Sequence, residues 1–361
     1  MKIRIDGSAF IGKKEYSGVG QYSKLLYESL SEKQKVDLVT GPFRSLSLIT
    51  TLLNKVYRKL SAFNIAFYFD LFYKPVELMI FPNFASWPTI KSKISMVTIH
   101  DLTYLYYPEF VERKNLRYLK RVVPQSIKRA DYILTVSETV KKELVREFGI
   151  SSSKCIVTHV PPDEIYYKKQ KVNQNLNNKY GIPNSKYILF VGNLEPRKNL
   201  ICLIEAYKKL PCDIQSRHKL VIAGPKGWNL QPLINQLSVE DSKNIISTGF
   251  VDKQDMPTLY RMASLFVFPS LYEGFGIPIL ESMLSDTVVL ASDIPVLRET
   301  GGEAAMYFKP NNPDDLSKKI QTLLSDYTLR NKFIKLGRKN IKRFSWDNNA
   351  EKLLQLVHLD R

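Results

Sequence analysis

Short apolar runs alternate with helical patterns along the whole chain. The runs lie at residues 1–6, 36–40, 78–82, 95–100, 132–137 and 155–160, and then at 187–192, 219–224, 244–248, 265–270, 288–292 and 305–308. Several are apolar at every position, which is typical of strands that helices cover on both faces. Strands that alternate with helices predict parallel sheets. About six strands in each half favour two doubly wound α/β domains, although the periodicity alone also allows a barrel.

A polar stretch separates the two halves. Residues 161–186 are rich in Asn and Lys and are bounded by prolines, which predicts a linker that leads into a short helix. We therefore expect one domain over residues 1–165 and a second over 166–344. The tail has a helical pattern again, with Ser345 or Asp347 as its N-cap.

The composition is that of a globular protein with a strong positive charge. The chain has 361 residues, 44% of them hydrophobic and 24% charged, which suits two soluble domains. The formal net charge is +18 and is spread over both halves. It indicates either a lysine-rich solvated surface or a polyanionic partner, such as nucleic acid, a phosphate-rich ligand or an anionic membrane.

Cysteine and histidine usage points to a reducing compartment without a metal. The three cysteines form no C-x-x-C pair and the four histidines are scattered, so neither a disulfide framework nor a metal site is expected. The first ten residues lack an apolar run and no stretch of 18 apolar residues occurs. We therefore expect neither a signal peptide nor a transmembrane helix.

Two glutamates follow one of the predicted strands. In FPSLYEGFGIPILESM, residues 268–283, a glycine-containing loop leaves the strand and opens a helix near residue 276. The loop carries Glu273 and the helix carries Glu281. The free N–H groups at the helix start predict an anion site, and ligands bind beyond the carboxyl ends of such strands. The alternative is that Glu273 is solvated and Glu281 only complements the helix dipole.

Three other segments contribute candidates at strand exits or before a helix. VGNLEPRKNL places Arg197 and Lys198 after a strand, where a guanidinium fork and a point charge suit a diphosphate; the alternative is a solvated basic turn. YSGVGQYS, residues 16–23, is a glycine-rich loop that would let a ligand approach the backbone. VTIHDL puts His100 at another strand exit, where it is either structural or part of a site.

These segments together carry a family resemblance. EGFGIPILE, VGNLEPRKNL, SGVGQY, VTIHDL and residues 294–316 resemble family 4 glycosyltransferases, in order and over nearly the whole chain. The nearest likeness is to bacterial enzymes that build O-antigen, capsule or exopolysaccharide. The resemblance implies the GT-B fold, with two Rossmann-like domains that face a cleft. It implies that residues 166–344 bind a nucleotide sugar and that the final helix, 345–361, completes the N-terminal acceptor-side domain.

The resemblance also implies a reaction and assigns roles in it. The enzyme would be a retaining hexosyltransferase that needs no metal and no cofactor. Glu281 would accept hydrogen bonds from the ribose, and Glu273 would bind the donor sugar and favour positive charge at its anomeric carbon. Arg197 and Lys198 would stabilise the departing diphosphate, a task that other enzymes give to a metal. The other implied residues are His100 for the sugar or acceptor, Gly18 and Gly20 beside the diphosphate, and the backbone of Gly274, Phe275, Gly276 and Ile277 for sugar and phosphate.

Two positions depart from the family pattern or are weakly defined by it. Many relatives have arginine where this chain has Asn193, so the diphosphate would meet one cation fewer. Val251 follows the strand exit TGFV and is assigned to the nucleobase by position only.

The expected substrates and location follow from the same likeness. The nearest look-alikes indicate mannose from GDP-mannose, and a glycan or polyprenol-linked glycan as acceptor. Segments 43–74 and 113–129 mix cations with apolar residues, and 113–129 is predicted as one helix. Basic helices with an apolar side can lie in the headgroup region of a bilayer, which predicts a cytoplasmic protein held peripherally on the inner face of the plasma membrane. The alternative for 43–74 is a helix packed in the core.

Two other functions compete with this one. A GT-B nucleotide-sugar 2-epimerase would need an additional acid/base set and no acceptor. A nucleic-acid-binding protein would explain the charge of +18 and would show steep salt dependence, but no RNP, zinc-finger or helix-turn-helix signature is present.

Overall fold

In the computed structural model the chain divides into two compact units, Met1–Val160 together with Phe344–Arg361, and Pro161–Arg343. The structure describes residues 1–11, 18–41, 52–54, 56–57, 70, 73–168, 176–182, 186–225, 227 and 243–359. Within these residues each unit contains one parallel sheet of six strands. The prediction of two doubly wound α/β domains is confirmed.

The first unit orders its strands β2-β1-β3-β4-β5-β6, all parallel. Its strands are β1 (Lys2–Asp6), β2 (Lys35–Val39), β3 (Val76–Phe81), β4 (Ser92–Ile99), β5 (Tyr132–Thr135) and β6 (Cys155–Val157). Between them run helices α1 (Gly18–Lys33), α2 (Thr103–Tyr106), α3 (Arg113–Arg129) and α4 (Glu138–Phe148). The central strands β3 and β4 are almost wholly buried, as expected for apolar runs between two helical layers.

The second unit orders its strands β12-β11-β10-β7-β8-β9, again all parallel. They are β7 (Lys186–Val191), β8 (His218–Ala223), β9 (Ile245–Gly249), β10 (Leu265–Phe268), β11 (Val289–Ser292) and β12 (Ala305–Phe308). The helices are α5 (Leu176–Tyr180), α6 (Leu200–Lys208), α7 (Cys212–Arg217), α8 (Met256–Met262), α9 (Ile277–Leu284), α10 (Pro295–Gly301), α11 (Pro313–Ser325) and α12 (Tyr327–Asn340).

The order of strands in the second unit reverses between β7 and β10. These are its first and fourth strands along the chain, yet they are neighbours, with Leu265 opposite Ile188 and Phe266 opposite Leu189. In a doubly wound sheet, the loops that leave two such strands diverge and open a crevice at their carboxyl ends. The segments after Val191 and Phe268 therefore border the position where a ligand is expected.

The last helix, α13 (Trp346–Leu359), belongs to the first unit. It packs on α1, where the Ser29 hydroxyl donates to the Trp346 carbonyl at 2.9 Å and Lys33 pairs with Glu351 at 3.2 Å. The Ser345 hydroxyl accepts from the Asn348 N–H at 3.4 Å, which is the contact of an N-cap. No helix in the described part of the chain is long and apolar enough to cross a membrane.

Candidate functional site

Two loops meet at the carboxyl ends of β7 and β10. After β7 the chain enters a short 3₁₀ turn, Pro196–Lys198, and Asn199 then adopts a left-handed conformation with φ of 53° before α6 begins. The Leu271 N–H donates to the carbonyl of Arg197 at 2.9 Å, which ties this turn to the loop that follows β10. The two loops are therefore held together by the backbone.

The Glu273 carboxylate forms ion pairs with both cations of the 3₁₀ turn. Its Oε2 accepts from Arg197 Nη1 at 2.5 Å, and its Oε1 accepts from Lys198 Nζ at 2.6 Å. Both Glu273 and Lys198 are 8% exposed. The two alternatives from the sequence, a solvated Glu273 and a solvated basic turn, are wrong, because the three groups form one buried ionic cluster.

The charges in this cluster hold Glu273 ionised. Burial alone would raise its pKa, but the positive charges of Arg197 and Lys198 lower the pKa of Glu273 to about 2. Burial lowers the pKa of Lys198, and the charge of Arg197 lowers it further, while Glu273 opposes both. The ammonium group also lies 5.0 Å from the centroid of the Phe268 ring, within the range of a cation–π contact.

A second carboxylate, that of Glu195, also forms an ion pair with Arg197. Its Oε1 accepts from Arg197 Nη2 at 2.5 Å, so that the guanidinium bridges Glu195 and Glu273. Arg197 Nη1 also donates to the carbonyl of Tyr272 at 3.1 Å. Sequence reasoning missed Glu195. Its position two residues before Arg197 was the available signal, but the turn had to be folded before the contact could be seen.

The glycine loop after β10 leads into α9 through a residue with positive φ, which glycine adopts without strain. Gly276, the residue before α9, has φ of 104°, and no side chain caps the helix there. The Thr300 hydroxyl donates to the carbonyl of Phe275 at 2.6 Å, which fixes the loop against α10. The predicted start of the helix is confirmed, and Gly274 and Ile277 flank this position in the loop and in the first turn.

Glu281 lies on α9 and is partly buried beneath two tyrosines. The Tyr260 hydroxyl donates to Glu281 Oε2 at 3.0 Å, and the Tyr166 hydroxyl interacts with the same carboxylate and lowers its pKa. Burial raises the pKa of Glu281 to about 7, against the opposing effect of the two hydroxyl groups. The sequence did not indicate either tyrosine.

Two weaker candidates of the second unit lie at other strand exits. Asn193 is exposed in the segment that follows β7, and Val251 is buried two residues after the end of β9. Their roles at the diphosphate and the nucleobase stay predictions. Within the described part of the chain, no group of three or more His, Cys, Asp or Glu side chains is placed to hold a metal ion.

Three candidates belong to the first unit. His100 follows β4 and is 8% exposed; its Nε2 donates to the carbonyl of Pro82 at 3.1 Å, and burial lowers its pKa. It packs edge-on against Tyr22 with ring centroids 4.8 Å apart. Gly18 opens α1 at an exposed position, and Gly20 is buried within the first turn of the same helix. The expected glycine-rich loop over residues 16–23 is therefore wrong from Gly18 onwards, where the chain is helical. The roles expected for these residues also stay predictions.

Helix α3 is confirmed with the predicted bounds, but its apolar side does not face outwards. Val122, Val123 and Ile127 are buried in the core of the first unit, so the expected apolar contact of this helix with a membrane is wrong. The exposed side is basic, and the helix contains no acidic residue; its exposed cations are Arg113, Lys114, Arg117, Lys120, Arg121 and Lys128. Most of segment 43–74 lies outside the described residues.

Comparison with known families matches both halves of the chain. A model described as Glycosyltransferase Family 4 matches residues 18–163, and one described as Glycosyl transferases group 1 matches residues 172–340. The second match contains the cluster of Arg197, Lys198 and Glu273, and also Glu281.

Among curated proteins, the chain is similar to two mannosyltransferases of Escherichia coli. It is 33% identical over 269 residues to O-antigen chain mannosyltransferase B, covering 72% of this chain and 70% of that protein. It is 32% identical over 265 residues to the serotype-specific mannosyltransferase WbdA, covering 70% of this chain but only 32% of that longer protein. The chain thus spans about a third of the length of WbdA.

Solved structures share the fold at low sequence identity. The Anabaena protein Alr3699/HepE, solved in complex with UDP, is 17% identical with a TM-score of 0.68, and 99% of each chain is covered. This likeness extends to both units.

Proposed function

The chain belongs to the family 4 and group 1 glycosyltransferases and has their GT-B fold, and from this premise we propose that it is a retaining, metal-independent mannosyltransferase. In our proposal it moves mannose from GDP-mannose to a glycan or to a polyprenol-linked glycan. The two similar E. coli proteins, both named as mannosyltransferases, support the choice of sugar.

The cluster of Arg197, Lys198 and Glu273 at the strand reversal carries the proposal. Transfer of a sugar releases a nucleoside diphosphate, so negative charge builds up on the leaving oxygen while positive charge builds up at the anomeric carbon. Arg197 and Lys198 supply fixed positive charge for the first, in a buried place where charge acts strongly. Glu273, which the cations keep ionised at neutral pH, supplies negative charge for the second.

The cluster also sets a condition for donor binding. With Glu195 and Glu273 ionised, its formal charge is zero, because two carboxylates balance the two cations. A diphosphate must therefore share these cations with the carboxylates. We propose that Arg197 exchanges part of its ionic contact for the phosphates, and that Glu273 exchanges part of its own for a hydroxyl of the sugar.

The remaining parts of the donor are assigned to the neighbouring loop and helix. In the proposal, the backbone N–H groups between Gly274 and Ile277 bind phosphate and sugar oxygens at the start of α9, where the helix dipole favours negative charge. Glu281 accepts hydrogen bonds from the ribose.

A membrane surface completes the proposal. An acceptor with a polyprenol tail lies in a bilayer, and the exposed side of α3 offers six cations without an acidic neighbour on the same helix. We propose that this face holds the enzyme at the inner leaflet of the plasma membrane. Since the apolar side of α3 is packed in the core, the attraction to the membrane would be electrostatic.

The first test is a thermal-shift screen with GDP-mannose, UDP-glucose, dTDP-glucose and ADP-glucose. A ligand that binds only the folded state raises the melting temperature by mass action. We expect GDP-mannose to give the largest shift, and Lys198→Met to reduce it. Lys186→Met is the matched control, since Lys186 is exposed at the opposite end of β7.

The second test is transfer of labelled mannose to lipid extracts, with the anomeric configuration of the product read by NMR. An α-linked product from α-configured GDP-mannose supports retention, whereas a β-linked product contradicts it. A larger shift with another nucleotide sugar would overturn the choice of GDP-mannose and leave the family assignment intact.

A further inference from the structure

Tyr166 and Tyr260 converge on Glu281 from separate parts of the second unit. Tyr260 lies on α8, and Tyr166 ends a short 3₁₀ turn, Glu164–Tyr166. Both tyrosines are buried, and their ring centroids are 6.1 Å apart in an edge-on arrangement. The Tyr260 hydroxyl donates to Glu281 Oε2 at 3.0 Å, and the Tyr166 hydroxyl interacts with the same carboxylate.

An ion pair fixes the turn that carries Tyr166. Asp163 caps it, with Oδ1 accepting from the Ile165 N–H at 3.1 Å. The other oxygen of Asp163 accepts from Lys253 Nζ at 2.5 Å. Because Lys253 lies in the loop after β9, the position of Tyr166 depends on a contact between the linker and the carboxyl end of the sheet.

Among the described residues, the two hydroxyl groups leave part of the Glu281 carboxylate open to other donors. A carboxylate has about four acceptor positions, and the tyrosines take at most two of them. The other two match the pair of O–H donors on a vicinal diol, such as the 2′- and 3′-hydroxyls of ribose.

We propose that Tyr166 and Tyr260 are positioning residues for the nucleotide, which orient the Glu281 carboxylate so that its remaining acceptor positions face the ribose diol. The identity of the ligand rests on the proposed function, but the positioning of Glu281 does not.

The same contacts control the charge of Glu281. Burial raises its pKa to about 7, the hydroxyl groups of Tyr260 and Tyr166 lower it, Asp163 raises it and Lys253 lowers it. A pKa of about 7 leaves the carboxyl about half ionised at neutral pH. Without a tyrosine hydroxyl it would be mostly protonated there and would lose much of its capacity to accept two O–H donors. The expected signature is therefore a change in the pH dependence of nucleotide binding.

The variants are Tyr166→Phe and Tyr260→Phe, each with a tyrosine control. The Tyr187 hydroxyl is also buried and donates to the carbonyl of Leu259 on α8 at 2.6 Å. Tyr187→Phe therefore matches the loss of stability that comes with removal of a buried tyrosine hydroxyl. Tyr167→Phe alters the exposed neighbour of Tyr166. Neither control side chain belongs to the proposed binding site.

The first measurement needs no ligand. The Glu281 carboxyl is titrated by ¹³C NMR in the full chain and assigned with Glu281→Gln. Tyr166→Phe and Tyr260→Phe should each move its midpoint upwards by about one pH unit, and the controls should leave it in place. An unchanged midpoint in both variants, or an equal shift in Tyr187→Phe, overturns the positioning role.

The second measurement compares GDP with 2′-deoxy-GDP by calorimetry between pH 6 and 9. Tyr260→Phe should weaken GDP binding about fivefold at pH 7, since a shift of one unit lowers the ionised fraction by that factor. The loss should be smaller at pH 9 and for the deoxy ligand. In turnover assays the donor KM should rise with kcat little changed.

Equal losses of affinity for GDP and 2′-deoxy-GDP would overturn the ribose contact. A wild-type chain that binds no nucleotide would contradict the proposed function, and the NMR titration would then decide whether the tyrosines position Glu281.

Discussion

Lys198 Nζ lies 2.6 Å from Glu273 Oε1, although the two residues are 75 positions apart and follow different strands. The contact exists because β7 and β10 are neighbours at the point where the strand order reverses. Each residue is 8% exposed, so neither charge can be solvated if its partner is removed. A buried pair of this kind contributes little beyond an apolar pair of the same volume, but it is costly to break.

Glu273→Gln should therefore destabilise the protein strongly at neutral pH. The change leaves Lys198 buried without its carboxylate, and such a change costs about 3–5 kcal/mol. Because the pKa of Glu273 is lowered from 4.5 to about 2 in the folded state, the stability it contributes is present above about pH 4.5 and is lost as the pH falls towards 2. Urea unfolding at pH 7, 4.5 and 3 checks both the size and the pH window.

Glu303→Gln is the control for this measurement, since Glu303 is exposed. It should shift the unfolding midpoint little at any of the three pH values. A difference between wild type and Glu273→Gln that persists undiminished at pH 3 would show that the pair is not the source of the effect.

The proposed use of Arg197 and Lys198 predicts activity without a divalent ion. In the proposed function their charges take over the task that other enzymes give to a metal on the diphosphate. Transfer activity should survive exhaustive EDTA treatment, and Lys198→Ala should lower kcat more than it raises the KM for acceptor. Activity that disappears with EDTA and returns with Mn²⁺ or Mg²⁺ would contradict this, and the Lys186→Ala variant should behave as wild type.

Gly276→Ala should impair the loop that precedes α9. Gly276 has φ of 104°, and a Cβ built there would lie 2.9 Å from Leu297 Cδ2. The backbone strain costs on the order of 1–3 kcal/mol, and relief of that strain would move the N–H groups at the start of the helix. We expect a lower melting temperature together with weaker nucleotide binding.

Gly181→Ala separates the two effects. Gly181 also has a positive φ, of 65°, but nothing lies within 4 Å of the Cβ position. This control should lower the melting temperature without a change in nucleotide affinity. If both variants lose affinity equally, the loop at Gly276 has no special part in binding.

The sequence predicted the fold well because its signals are local. The central strands are short apolar runs that two helical layers cover, and the bounds of α3 follow from one amphipathic pattern that ends at Arg129. The 3₁₀ turn with Arg197 and Lys198 was also within reach, since strand exits of parallel sheets meet at one edge.

What the sequence could not supply was the partners of the charged groups. Glu195 shares a turn with Arg197, but only the folded turn shows that both terminal nitrogens of the guanidinium are engaged. Tyr166 is remote from Glu281 in the chain, and its contact depends on the Asp163–Lys253 pair. Such contacts depend on the packing of separate elements, which no periodicity encodes.

The exposed side of α3 should bind anionic membranes. Each cation near an anionic surface contributes roughly 1 kcal/mol, so reversal of Arg117, Lys120 and Arg121 to Glu should lower the affinity on the order of 100-fold. Liposome flotation at low salt, with and without anionic lipid, measures this directly.

The control is the reversal of Lys318, Lys332 and Lys335, which are exposed on α11 and α12. It changes the net charge by the same amount and should leave binding near the wild-type level. Equal losses in the two triple variants would mean that overall charge, and not the α3 face, attracts the protein, and wild type that fails to float with anionic vesicles would remove the membrane surface from the proposal.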